Sequence, residues 1–178
     1  MTKARFPFLV LPGFAALLAG GAGLVHAASV ETRPAYGAPA TQLEAATVAA
    51  TAKSVFSRAD LDNDGNLSQE EFLTLAVVSA ELARLNGFVP VEYAGGVRTA
   101  ALPRADAWSS TERARIESSA DRDYALFAGV DRRMSSEEFV AMRLESLTAA
   151  DLDRNGVLTG AELGRFAAIE ARLQSRQS

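Results

Sequence analysis

The chain has 178 residues, enough for one domain or two small ones, with 48% apolar residues, no cysteine, one histidine and a net charge of −4. Without cysteine there is neither a disulfide nor a thiol nucleophile. The acidic balance, with no Lys/Arg cluster, argues against a nucleic-acid surface.

The first segment, residues 1–27, reads as a signal peptide. Lys3 and Arg5 form a short basic start, Phe8 to Val25 is apolar, and Val25-His26-Ala27 offers small residues at a cleavage point. The alternative is an uncleaved anchor, for which the stretch is barely long enough and rich in glycine. Cleavage removes Lys3, Arg5 and His26 and leaves 22 acids against 16 bases, a net charge of −6. The expected location is periplasmic or secreted, with no membrane contact after cleavage. A mature chain with neither thiol nor imidazole has no usual zinc site and lacks most hydrolase constellations, so no enzyme is expected.

Residues 28–42, with Pro34, Gly37 and Pro39, read as a flexible tether. A helical domain is expected over 43–173. Its first helix, Leu43 to Ala59, leads into Asp60-Leu-Asp62-Asn-Asp64-Gly65-Asn66-Leu67-Ser68-Gln-Glu-Glu71. Here oxygen-bearing side chains occupy positions one, three, five, nine and twelve, with glycine at six, the pattern of a calcium loop. A hard dication takes six to eight oxygens at about 2.4 Å, which a short loop supplies only if alternate residues point inward and the chain bends sharply. Asp60, Asp62 and Asp64 would give carboxylates, Asn66 its carbonyl, Ser68 a contact through water and Glu71 both oxygens. Gly65 permits the bend.

The apolar positions Phe72, Leu75, Ala76, Val78, Leu82 and Leu85 then recur at three- and four-residue spacing, predicting a helix that ends at Gly87. Residues 87–107 carry Pro90, Gly95, Gly96 and Pro103 and read as a linker or a surface excursion. Trp108 reads as an anchor of core or linker. Ser109 to Glu112 has capping-box spacing, so a helix is expected from Ser110 to Ala128.

Phe127 to Asp131 repeats the approach of Phe56 to Asp60, and Met134 to Phe139 repeats Leu67 to Phe72. Two residues separate Asp131 from Met134 where six separate Asp60 from Leu67, so this hand has lost four loop residues and is not expected to hold calcium. Arg132 and Arg133 add positive charge there. An unbroken helix, Ser136 to Ala150, leads to a second full loop with Asp151, Asp153, Asn155, Val157, Thr159 and Glu162 at the ligand positions and Gly156 at the bend. A last helix runs toward Leu173, and residues 174–178 read as a frayed tail.

On Asp60 to Glu71 and Asp151 to Glu162, with weaker support from Asp131 to Phe139, the chain resembles the calmodulin-like EF-hand superfamily, and more closely exported bacterial proteins with several EF-hands. The resemblance implies an all-α helix-loop-helix bundle with two intact calcium loops, one shortened degenerate hand and two Ca2+ per chain. It implies calcium binding but no partner; a calcium-stabilised or calcium-switched module that presents an apolar surface to an unknown exported protein is the first reading. A passive calcium buffer or structural domain is the alternative, and a calcium-dependent enzyme a remote one. The 60–71 loop, with four charged ligands against three and with Arg154 inside the other loop, is expected to bind more tightly. EF loops join in pairs through their eighth residues. Leu67 is expected to face Leu158, with Met134 as the rival.

Overall fold

The computed structural model describes residues 37–103, 109–174 and 176. The predicted signal peptide, residues 28–36 of the tether and Trp108 lie outside them. Among the described residues five helices carry the fold: α1 (Ala45–Ala59), α2 (Gln69–Asn86), α3 (Ser110–Phe127), α4 (Ser136–Ala150) and α5 (Gly160–Glu170). The same residues form seven strands: β1 (Ala38–Pro39), β2 (Gln42–Glu44), β3 (Asn66–Leu67), β4 (Phe88–Tyr93), β5 (Gly96–Ala101), β6 (Met134–Ser135) and β7 (Val157–Thr159). The all-α expectation is therefore corrected: three small sheets form, ordered β1-β5-β4, β2-β7 and β3-β6.

The largest departure is the stretch expected as a linker. Gly87, in the left-handed region at φ 75°, ends α2 by donating its N–H to the Ala83 carbonyl, and the chain turns back as an antiparallel hairpin pairing Phe88 with Ala101 and Tyr93 with Gly96. Val89 and Val91 point into the core while Pro90 and Glu92 face outward. That is the two-residue period of a half-buried strand. Pro90 is tolerated because β4 is an edge strand, where its missing N–H costs no ladder bond. The hairpin is tied to α1 through Thr51, whose hydroxyl lies 3.2 Å from the Glu92 carbonyl.

A repeat organises the rest. In the units β2-α1-β3 and β6-α4-β7 the two helices have the same length, and each residue of α1 lies 91 positions before its counterpart in α4, as Leu43 and Leu67 do before Met134 and Leu158. The units pair head to tail: Leu43 with Leu158, and Leu67 with Met134. All four side chains are fully buried. This overturns the expected Leu67–Leu158 bridge. Each 15-residue helix rises about 22 Å, so β2-β7 and β3-β6 stand at opposite ends of the packed α1 and α4. Leu67 and Leu158 are thereby kept apart. The shortened hand retains what a bridge needs, an extended pair of residues before a capped helix.

Each end has its own core. Around β3-β6, Phe139 packs against Phe56 and Phe72, with ring centroids 6.0 and 6.3 Å away, and Leu67, Tyr124, Met134 and Met142 fill in. Around β2-β7, Leu43, Val48, Leu147, Leu158 and Phe166 meet the buried face of the hairpin. α3 lies on α2 through Ile116, Val77 and Ala80. After α5, Arg172 and, within the stretch expected as frayed, Arg176 both donate to Asp123 on α3, at 2.5 and 2.6 Å.

Candidate metal centres

Both loops are shaped by their own acidic side chains. In the first, Asp60 Oδ1 accepts the Asp64 N–H at 3.1 Å and Oδ2 the Gly65 N–H at 3.0 Å. In the second, Asp151 accepts from Asn155 at 3.2 Å and Gly156 at 2.9 Å. Asp64 Oδ1 takes the Asn66 N–H at 2.8 Å, as Asn155 Oδ1 takes that of Val157 at 2.7 Å. The bends match as well. Gly65 and Gly156 sit at φ 84° and 82°, where a Cβ is strained, and Asn63 and Arg154 share a left-handed turn at φ 58° and 59°.

The twelfth residue closes each loop. Glu71 accepts the Leu61 N–H at 2.8 Å on one oxygen and, on the other, the Ser68 N–H at 2.9 Å and the Ser68 hydroxyl at 2.8 Å. Those donors, the Ser68 N–H foremost and the Leu61 N–H next, hold the Glu71 carboxyl below the usual carboxylate range. Glu162 repeats the grip, accepting from Leu152 at 2.9 Å and Thr159 at 3.1 Å, and is itself buried. Glu71 and Glu162 therefore lie across their loops from the aspartates at positions one and three.

The outcome is two oxygen-rich clusters. One oxygen each from Asp60, Asp62 and Glu71 lies within 4.8 Å of the others, and the same holds for Asp151, Asp153 and Glu162. A site of oxygens alone, without nitrogen or sulfur donors, suits a hard dication such as calcium. Asn66, Val157 and Thr159 stand beside Leu67 and Leu158 in β3 and β7, and Ser68, next after β3, caps α2. Asp64 stands apart from the rest. Its inner oxygen is in the same arrangement as that of Asn155, but its outer oxygen is paired with the Arg133 guanidinium of the shortened hand.

At that hand the chain passes from α3 into β6 through Gly129 and Arg132, both at positive φ. Asp131 Oδ1 accepts the Arg133 N–H at 3.1 Å rather than facing a set of converging oxygens. The capping box survives: Glu138 Oε2 accepts from the Ser135 N–H and hydroxyl, both at 2.8 Å. Tyr124, whose hydroxyl sits 2.5 Å from the Arg132 carbonyl and 3.1 Å from that of Leu67, joins the shortened hand to the intact loop, and burial raises its pKa. The partner strand of each intact loop was legible only in part. Met134 carried the signal of a repeated Leu/Met-Ser-x-x-Glu-Phe pattern, while Leu43, beside an Ala/Pro-rich stretch, carried none.

Residues 52–76 and 144–167 match the family model of the EF hand, each segment running through one of the two loops. No curated protein and no solved structure matches the chain. The chain thus carries two EF-hand segments, each folded around a convergent acidic cluster that suits calcium.

Proposed function

We propose that the protein is an exported, non-enzymatic calcium module that takes two ions, one in each intact loop. The observation that carries this reading is the convergence of three carboxylates in each loop to within 4.8 Å. Asp60, Asp62, Asp64, the Asn66 carbonyl, Ser68 through water and Glu71 would hold one ion. Asp151, Asp153, Asn155, the Val157 carbonyl, Thr159 and Glu162 would hold the other. Bound calcium would neutralise carboxylates that crowd each loop and so stabilise the fold by mass action. Export rests on the basic and apolar pattern of residues 1–27.

For the interaction role, the support is an apolar stripe on α2: Val78, Leu82 and Leu85 are 46%, 50% and 80% exposed. These lie three and four residues apart on one helix face. One observation favours the alternative of a passive buffer. Met134 and Met142 are both buried in the core and provide no adaptable methionine surface of the kind that serves promiscuous target binding. Binding of an apolar dye, followed with and without calcium, separates the two. A calcium-dependent rise that Leu82→Ser diminishes supports the module. An unchanged signal with calcium bound at both loops supports the buffer.

A further inference from the structure

The sequence marks Arg132 and Arg133 as a reason for the shortened hand not to bind calcium, yet Arg133 is directed at the other hand. Its backbone is fixed from two sides. Asp131 accepts its N–H, and the next residue, Met134, is bridged to Leu67. The Tyr124 hydroxyl, between the carbonyls of Arg132 and Leu67, fastens the same junction. From there the Arg133 guanidinium reaches Asp64 Oδ2, the outer oxygen of the fifth position of the 60–71 loop. Asp64 Oδ1 is left to accept from the Asn66 backbone, as its counterpart Asn155 Oδ1 does from Val157.

We infer that Arg133 is a counter-charge supplied by the shortened hand to its intact partner, which weakens calcium binding in the 60–71 loop without closing it. The inference rests on the reading of 60–71 as a calcium loop. The ion pair is half exposed, with side-chain exposures of 53% and 40%, so it is weak and a dication is free to enter. The cost to calcium is electrostatic: a fixed positive charge on a liganding carboxylate repels the ion and draws electron density from the oxygen that must ligate it. The four carboxylates of this loop therefore bind more weakly than their number implies. In the 151–162 loop the fifth position is the neutral Asn155, and its bridge partner is Leu43, with Gln42 and Glu44 on either side and no arginine. The loss of four loop residues thus leaves the shortened hand with a regulatory side chain in place of a site.

The test follows the Gly65 and Gly156 amide resonances of the labelled chain through a titration with calcium chloride, so that each loop reports separately in one molecule. Arg133→Gln is expected to lower the calcium midpoint at Gly65 about three- to ten-fold, equivalent to roughly 0.7–1.4 kcal/mol, and to leave that at Gly156 in place. Arg133→Lys, which keeps the charge, is expected to stay near the wild-type midpoint. At about 1 M salt, where the Debye length is about 3 Å, the advantage of Arg133→Gln is expected to shrink. An unchanged or higher Gly65 midpoint in Arg133→Gln, or a lysine variant that follows the glutamine one, would overturn the inference. If Gly65 fails to respond to calcium in every variant, the reading of the loop itself fails and the inference with it.

Discussion

The units β2-α1-β3 and β6-α4-β7 are alike in length, helix and buried bridge residues, yet what precedes them differs. Before α4 stands a hand that has lost four loop residues; before α1 stand, among the described residues, the short strands Ala38–Pro39 and Gln42–Glu44. Each nevertheless supplies the strand that an intact loop needs. In both loops the bridge residue meets an extended strand that brings one fully buried apolar side chain, Leu43 or Met134. The two partner strands differ in charge: beside one, Arg133 reaches Asp64 of the intact loop, and the other carries an exposed glutamate, Glu44.

The most disruptive way to break this comparison is to remove a bridge side chain. Leu43→Ala and Met134→Ala each delete a fully buried side chain and are expected to cost about 2–5 kcal/mol in denaturant unfolding. Leu43→Ala should disturb the Gly156 amide more than that of Gly65, and Met134→Ala the reverse. Calcium sharpens it next. At about 100 times the dissociation constant each occupied loop is expected to add about 2.7 kcal/mol of stability. Glu71→Gln and Glu162→Gln should each remove one such increment, read as a smaller calcium-induced rise in Tm. The bend glycines should behave alike in both loops: Gly65→Ala and Gly156→Ala, at φ 84° and 82°, are each expected to cost about 1–2 kcal/mol.

A smaller effect belongs to one side only. Glu112 on α3 pairs with Arg84 on α2 at 2.5 Å, and this guanidinium, ahead of Arg115, holds the Glu112 carboxyl below its ordinary range. A carboxyl whose pKa is lower folded than unfolded stabilises the fold above the unfolded value of about 4.5 and loses that stability as pH falls through the folded one. Stability should therefore decline below about pH 4.5, and Glu112→Gln should flatten that part of the profile in unfolding measured from pH 6 to 3.

Much of this was readable in the sequence because loop chemistry is local. The ligand pattern, the bend glycines and the unbroken helix Ser136–Ala150 each depend on residues within a dozen positions of one another. The sheets were less so: the Leu67–Met134 bridge was one of two choices, and the other two sheets were not expected. Leu43 finds Leu158 across more than a hundred residues, and nothing in Gln42-Leu43-Glu44 signals a strand until that partner is in place. The hairpin was obscured differently: Pro90 and the paired Gly95 and Gly96 read as breakers, although Val89, Val91 and Tyr93 alternate and the glycines mark the turn. Arg133 was noted for its charge, but its contact with Asp64 depends on the Leu67–Met134 register, which the sequence left open between two choices.

On the proposed function, two loops hold calcium while the hand at Asp131 to Glu138 serves only as a partner strand. Native mass spectrometry of the chain at saturating calcium counts the ions directly. Two per chain, falling to one in Glu71→Gln and in Glu162→Gln and unchanged in Glu138→Gln, is the expected result. A third ion lost in Glu138→Gln, or a single ion in the unaltered chain, would contradict it.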